Sequence, residues 1–329
     1  MGRYIIKRLL WLIPILFLIS FISYFVMYLS PGDPATNFLS LSGNPPTNEQ
    51  VEALRNSLGL NDPFFVQYFR WIGNILFHGD FGTSIFTSDP VGAKIFSLLP
   101  STIYLTVVSM VMTLVISIPL GVIAAVFENK FVDLLIRVTS FIGGSLPSFF
   151  TAMGLTYLFG VVLKWFPTIS TGHPEGIILP AVTLAITTSA SFIRQIRVTV
   201  IQELSEDYIR LKRSRGVKET VILFGNALKC AMPSILTIAG LNLGHLLGGT
   251  AVIETVCVYQ GLGKTALNAI TNRDYPMIQG YVLIMAVIYV LVNLVVDVAH
   301  AYADPRVKNR YIMENRKGDR IGKKIFSKN

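Results

Sequence analysis

The residues with the first claim to chemistry are Gly263-Lys264-Thr265, since a glycine-lysine-threonine run closes a phosphate-binding loop. Such a loop needs another glycine five residues before Gly263, and that position is Val258. The pattern fails, so any ATP hydrolysis must come from another chain. There is no His-Glu-x-x-His run, no Ser-His-Asp order, no carboxylate pair and no cysteine-rich ligand set. Cys230 and Cys257 flank one apolar run, are expected on opposite sides of a membrane, and cannot bridge. An enzyme therefore has no catalytic constellation to stand on, and no metal site is firm. What remains is a set of polar side chains within apolar runs: Asn242, His245, Asn293 and Asp297. Polar and ionisable groups at membrane depth are costly and tend to face a polar cavity or a partner. These four are the candidate polar residues of a translocation path, although Asp297 sits near a helix end where water or a neighbour would serve it equally. Glu254, at the mouth of a span, is expected to be solvated or paired.

A second set of residues suits docking rather than chemistry. Between two long apolar runs lies a basic, amphipathic segment, residues 199–231. Leu204, Tyr208 and Leu211 recur at helical spacing and are expected to share one face. Asp207, Arg210, Lys212 and Arg213 surround them, and Gly216 can end the helix in a left-handed conformation. A membrane protein gains from such a helix when it lies on lipid or docks into a partner. In the following apolar run, Gly240, Gly244 and Gly248 lie four apart. This small-residue stripe predicts close helix packing and is compatible with a path beside it.

The elements that must position these residues are membrane helices. The chain has 329 residues, 52% hydrophobic and only 14% charged, with a net charge of +9. Soluble proteins carry about a quarter charged residues. Six spans are expected, near 9–29, 102–126, 134–162, 177–198, 232–253 and 279–301. Each can cross about 30 Å of hydrocarbon. The first lacks a cleavage site and reads as uncleaved; the third holds Gly143-Gly144 and Pro147 and is expected to tilt or kink. Lysine and arginine concentrate at the N-terminus (Arg3, Lys7, Arg8), in 199–231 and in the tail, which predicts that both termini and this segment are cytoplasmic. The positive charge is thus accounted for by topology and gives no reason to expect nucleic acid. The domain layout is then a first helix (1–29), an external cap (30–101), a five-helix core (102–303) and a basic tail (304–329). Within the cap, Thr47 and Gln50 predict a capping box, and 64–77 and 81–86 are aromatic-rich.

Several short motifs occur in order: Pro31-Gly-Asp-Pro34, Leu58-Gly-Leu-Asn-Asp-Pro63 with Gln67-Tyr68, Gly79-Asp-Phe-Gly-Thr-Ser84 and Leu99-Pro-Ser-Thr102. Asp207-Tyr-Ile-Arg210 through Gly216, Glu254-Thr-Val256 and Gly261-Leu-Gly263 follow. Arg273-Asp-Tyr-Pro276, Gln279, Asn293-Leu-Val-Val-Asp297 and Asp304-Pro-Arg306 complete the series. Together they make a chain that resembles the inner-membrane permease subunits of ATP-binding-cassette importers, in the peptide/nickel family. The resemblance implies a type I-like permease fold in a bacterial plasma membrane, forming half of a translocation pathway. It implies partners: a second homologous permease, two ATPase subunits that use ATP and magnesium, and an extracytoplasmic solute-binding protein. This chain itself is expected to bind no cofactor. It further implies that the segment around Gly216 is the coupling helix, with Leu204, Asp207, Tyr208, Arg210, Leu211 and Gly216 engaging an ATPase. Gln260 and Asn226 stand where this branch commonly has proline and histidine. The resemblance leans toward nickel or a metal chelate as substrate, with a di- or oligopeptide as the alternative. The outer segments carry a mildly acidic balance, and His245 offers an imidazole that suits nickel, but no second histidine lies four residues away. The rivals from other classes are a passive channel and a non-transporting scaffold.

Overall fold

The computed structural model describes residues 2–30, 32–40 and 46–303. Pro31, Gly43 to Pro45 of the proline-rich turn, and the tail 304–329 with Asp304-Pro-Arg306 lie outside the described residues. So do the side chains of Arg3, Lys7, Arg8 and Asp297. Among the described residues every regular element is helical. The first four are α1 (Gly2–Leu29), α2 (Pro34–Ser40), α3 (Asn48–Leu58) and α4 (Phe64–His78). Next come α5 (Val91–Val126), α6 (Phe131–Ser145), α7 (Ser148–Leu155), α8 (Ile178–Ser205) and α9 (Asp207–Ser214). Last are α10 (Glu219–Ile222), α11 (Leu228–Val256), α12 (Leu262–Thr271) and α13 (Tyr275–Ala303).

Among the described residues, five stretches are long and apolar enough to cross a membrane: Leu12–Leu29, Val91–Val126, Pro174–Ser205, Glu219–Val256 and Tyr275–Val296. The third expected span is instead a pair bent by 98°, α6 and then α7 continued by the π-helical stretch Thr156–Val162, and counting that pair as one span brings the total to six. Proline explains the break. Pro147 offers no N–H and disfavours helical backbone in the residue before it. Leu146 is accordingly extended, with ψ of 134°. The second span begins earlier than expected, at Val91 rather than 102, and runs through Pro100. In an apolar surrounding, one lost hydrogen bond is a smaller cost than an unwound backbone.

The chain forms two compact units. The first comprises Met1–Ser109, Pro147–Leu184 and Leu246–Val290. In it, aromatic rings tie α1 to α4. Tyr68 is fully buried, its ring edge-on to Phe17 and Phe21, and its hydroxyl lies 2.9 Å from Ser20 Oγ. The capping box at Thr47 and Gln50 starts α3 as expected. A core of Phe81, Val91, Ile95, Leu262, Met277 and Leu283 then packs α5, α12 and α13 together.

The second unit comprises Met110–Leu146, Ala185–His245 and Leu291–Asn329. Here Ala124, Ile136 and Ile193 join α5, α6 and α8. Small residues bring these backbones close: a Cβ on Gly121 would sit 2.7 Å from Ile196 Cγ2, and one on Gly144 2.6 Å from Ala190 Cβ. In the glycine stripe of α11 the described close contact falls at Gly240, where a Cβ would collide with the Val296 side chain of α13. At Gly248 a Cβ would meet no atom within 4 Å.

Gly240→Leu is therefore expected to destabilise the protein by about 1–3 kcal/mol through overpacking. Gly248→Ala is expected to be neutral. Thermal midpoints of the purified variants in detergent check this, and equal midpoints would show that the α11–α13 contact carries no stability.

Candidate functional site

Two buried carboxylates organise the polar chemistry. In the first unit Glu254, near the end of α11, is 0% exposed. It is paired rather than solvated. Thr102 Oγ1 of α5 donates to its Oε1 at 2.9 Å, and the backbone N–H of Lys264 in α12 donates to its Oε2 at 2.8 Å. Thr102 Oγ1 in turn accepts from the Leu262 N–H at 2.8 Å. The N-terminus of α12 is an anion site by its free N–H groups and its dipole. The chain's own glutamate fills it, so Gly263-Lys264-Thr265 forms the first turn of a helix already satisfied. Gly261 must lack a side chain, because a Cβ there would fall on the Glu254 carboxyl group. Asp274 does related work at the start of α13: Ser84 Oγ donates to it at 2.5 Å and the Ile85 N–H at 3.1 Å.

In the second unit Asp133, in the first turn of α6, is also 0% exposed. Arg197 of α8 grips it with both arms, Nε at 2.7 Å and Nη2 at 2.8 Å. Arg137 adds a contact at 3.3 Å, and the Asn129 N–H donates at 3.0 Å. Asn129 has φ of 59°, a left-handed conformation that asparagine tolerates better than most residues. The α5–α6 turn and α8 are thus fastened at one carboxylate.

The basic segment 199–231 departs from its expected face. α8 ends at Ser205 and α9 begins at Asp207, so Leu204 and Leu211 are not on one continuous helix. The break follows from Glu206, whose backbone is extended (φ −64°, ψ 147°). Leu204 and Tyr208 pack inward against buried Ile209, Ile222 and Ala227. Tyr208 donates to Glu203 Oε2 at 3.1 Å; burial first, then contacts with Cys230 and Glu203, push its phenol up from the ordinary value. Leu211 is the apolar residue of α9 left outside, 59% exposed. Asp207 and Arg210 are exposed beside it. Gly216 is left-handed as expected, with φ of 75°. Behind α9, Arg213 grips Glu219 at 2.7 and 3.2 Å, and Lys212 bonds Asn226. A π-helical turn, Leu223–Ala227, then leads into α11.

Of the four candidate path residues, the side chain of Asp297 lies outside the described residues. Asn242 donates to the Ile238 carbonyl of its own helix at 2.8 Å. His245 is exposed and Asn293 half-buried. Sequence reasoning expected Glu254 to be solvated or paired, named Asp274 only within a motif, and did not single out Asp133. An aspartate at the head of an apolar helix, with arginines on this and another helix, was the available signal for Asp133.

Asp133→Ala is expected to cost about 3–5 kcal/mol, because Arg197 then keeps a mostly buried charge without its partner. The double variant Asp133→Leu/Arg197→Leu is expected to recover most of that loss. Thermal midpoints of the parent, both single variants and the double variant check this; a double variant as damaged as the sum of its singles would exclude the clamp.

Comparison with known proteins agrees with this architecture. Residues 117–309 match the family described as "Binding-protein-dependent transport system inner membrane component". Residues 1–106 match the corresponding N-terminal family of these membrane components. The glutathione transport system permease protein GsiC of Shigella flexneri serotype 5b (strain 8401) is 38% identical over 309 residues, covering 94% of this chain and 99% of that protein. GsiC of Escherichia coli (strain K12) and of Salmonella paratyphi A (strain ATCC 9150 / SARB42) match with the same identity and coverage. Among solved structures, inward-facing forms of the MetNI methionine ABC transporter have TM-scores of 0.55 and 0.56 at 17% and 21% identity, covering 66% of this chain and 100% of theirs. That likeness establishes the fold. With near-complete coverage by relatives at 38% identity, the chain belongs to the binding-protein-dependent transport inner-membrane components, the permease subunits of ABC importers of the peptide/nickel type.

Proposed function

We propose that this permease forms one half of the pathway of an ATP-driven importer for a short peptide or peptide-like solute such as glutathione. It is a multi-pass inner-membrane subunit and not an enzyme; ATP hydrolysis lies in separate ATPase subunits, and a solute-binding protein completes the system. The observation that carries the substrate reading is the 38% identity, over nearly the whole chain, to permeases named for glutathione transport. The nickel reading has less support. Its residue was His245, and among the described residues no group of three or more His, Cys, Asp or Glu side chains could hold a metal ion. In this reading a second, homologous permease supplies the other half of the pathway. Both termini and the segment 199–231 face the cytoplasm, and residues 30–101 face outward. ATP binding must favour one access state by several kcal/mol, and that difference crosses between chains at the coupling segment.

The exposure of Leu211 on α9 supports it as the anchor on an ATPase, with Arg210 at its rim. Leu211→Ala is expected to leave the thermal midpoint unchanged and weaken ATPase co-purification about tenfold or uncouple transport. Ile209→Ala, in the fold's own core, is expected to cost about 2–5 kcal/mol of stability. Pull-down and transport that are unaffected by Leu211→Ala would refute the docking face.

Uptake by cells with and without the gene tests the substrate. Labelled glutathione and di- and tripeptides are expected to lose uptake on deletion, while nickel uptake with chelators is retained. Loss of nickel uptake with peptide uptake intact would overturn the peptide reading.

A further inference from the structure

The helix α4 is amphipathic, and its two sides have different neighbours. Gln67 and Arg70 lie on the side that meets the preceding loop. The Gln67 amide donates to the Leu60 and Asp62 carbonyls at 3.0 and 2.7 Å, and Arg70 pairs with the Asp62 carboxylate at 2.6 Å. The opposite side carries Phe65, Phe69 and Leu76, spaced i, i+4 and i+11, flanked by Val66 and Phe77. All five are exposed, Leu76 to 72% and Phe77 to 83%. A Cβ added at Gly73, in the middle of this face, would meet no atom within 4 Å. Soluble monomers rarely leave so continuous an apolar surface in water.

The crossing of α4 over α1 points to what covers this face. The α1 stretch Leu12–Leu29 is apolar enough to span a membrane, and α4 meets it well inside that stretch rather than at its end. The Phe64 ring lies edge-on to Phe21 and Phe25, with centroids 5.5 and 5.6 Å apart, and Tyr68 reaches Phe17 and Ser20. At about 1.5 Å per helical residue, Ser20 is about 14 Å from the end of the stretch at Leu29. The first half of α4 therefore sits at hydrocarbon depth. Its apolar face is continuous with that of α1: the Phe65 ring lies 6.4 Å from Phe21, which stacks at 6.4 Å on exposed Phe25. With 15 residues α4 is about 22 Å long, too short to cross about 30 Å of hydrocarbon by itself. The makeup of the face also disfavours a protein cover. Where helices of this chain meet closely, small residues such as Gly121, Gly144 and Gly240 make the contact. The α4 face presents large rings instead, without the hydrogen-bonding side chains that rim a docking surface for a soluble partner.

We propose that α4 is an interfacial membrane helix whose Phe65, Phe69 and Leu76 face is buried among the acyl chains of the leaflet that holds the Leu29 end of α1. With residues 30–101 facing outward, as proposed above, this is the outer leaflet. The segment between α1 and α5 is then more than an external cap: α4 anchors it in lipid and keeps its polar side, Gln67 and Arg70, turned toward the rest of the segment. None of this depends on which solute the importer carries.

The test uses the full-length chain with its co-purifying subunits in lipid nanodiscs. In a Cys230→Ser/Cys257→Ala background, Phe65→Cys, Phe69→Cys and Leu76→Cys each carry a nitroxide label. Power saturation compares collisions with oxygen, which partitions into acyl chains, and with chromium oxalate, which stays in water. Leu18→Cys, at an exposed position of α1, and Glu52→Cys, at an exposed position of α3, are the lipid and water references. The three α4 labels are expected to match Leu18→Cys, with an oxygen-to-chromium ratio several-fold above that of Glu52→Cys. A ratio like that of Glu52→Cys would place the face in water and overturn the proposal. Exclusion of both reagents would mean that a protein chain, the second permease or the solute-binding protein, covers the face, and would overturn it too. Phe69→Trp, a conservative change, repeats the distinction without a label. Brominated acyl chains are expected to quench its added emission and iodide to leave it; any other pattern overturns the proposal. Gly73→Leu fills open space on a lipid-facing surface, so thermal midpoint, ATPase co-purification and transport are expected at the parent level. Loss of assembly in that variant would reveal a tight protein contact and sink the lipid assignment.

Discussion

A carboxylate removed from water must find its donors inside the protein, and the fold is arranged around that requirement. Glu254 lies at 0% exposure, where an uncompensated charge would be intolerable. The hydroxyl of Thr102 and the N-terminal N–H of Lys264 meet it, and this joins α5, α11 and α12 at one point. The same interaction decides which residues may surround it. Position 261 has room for nothing larger than glycine, and the first turn of α12 has its anion supplied from within the chain. Asp133 imposes the same logic on the other unit, where Arg197 supplies two parallel hydrogen bonds in the geometry that suits a carboxylate.

These junctions contrast with the contacts that surround them. Much of the apolar surface of the long helices is not covered within the chain: the apolar stretch of α1 is only 6% buried and that of α13 17%. In lipid such surface gives helices little reason to associate, so packing of small residues and polar links has to fix their places. Gly121, Gly144 and Gly240 provide the first, and Glu254, Asp133 and Asp274 provide the second. An importer has to change state without losing its fold. Discrete, satisfied polar junctions suit that need, since each unit keeps its own internal links while the protein moves.

The segment 199–231 shows the same division of labour between apolar packing and polar links. Ile209, Ile222 and Ala227 form a small private core. The Arg213–Glu219 and Lys212–Asn226 bonds brace α9 from behind. The chain thus uses most of its amphipathic pattern to hold the helix in place and leaves Leu211 and its charged neighbours exposed.

Much of this was legible in the sequence. Apolar length and the scarcity of charge determined the membrane class and a count of spans that the structure puts at five or six, because lipid tolerates few alternatives to a long helix. The Thr47 capping box, the left-handed Gly216 and the break at Pro147 were readable because each rests on the local backbone and its immediate neighbours. The long-range partners were not readable. Glu254 meets Thr102 across 152 residues of chain, and Asp133 meets Arg197 across 64, distances over which spacing carries no geometric information. The face of the segment 199–231 was misjudged for a related reason: helical periodicity assumes an unbroken helix, and the extended Glu206 resets the phase between Leu204 and Leu211. The sequence alone determined what had to be buried and roughly how it would be helical. Only the tertiary structure decided which buried charge meets which donor, because that depends on how separate helices pack.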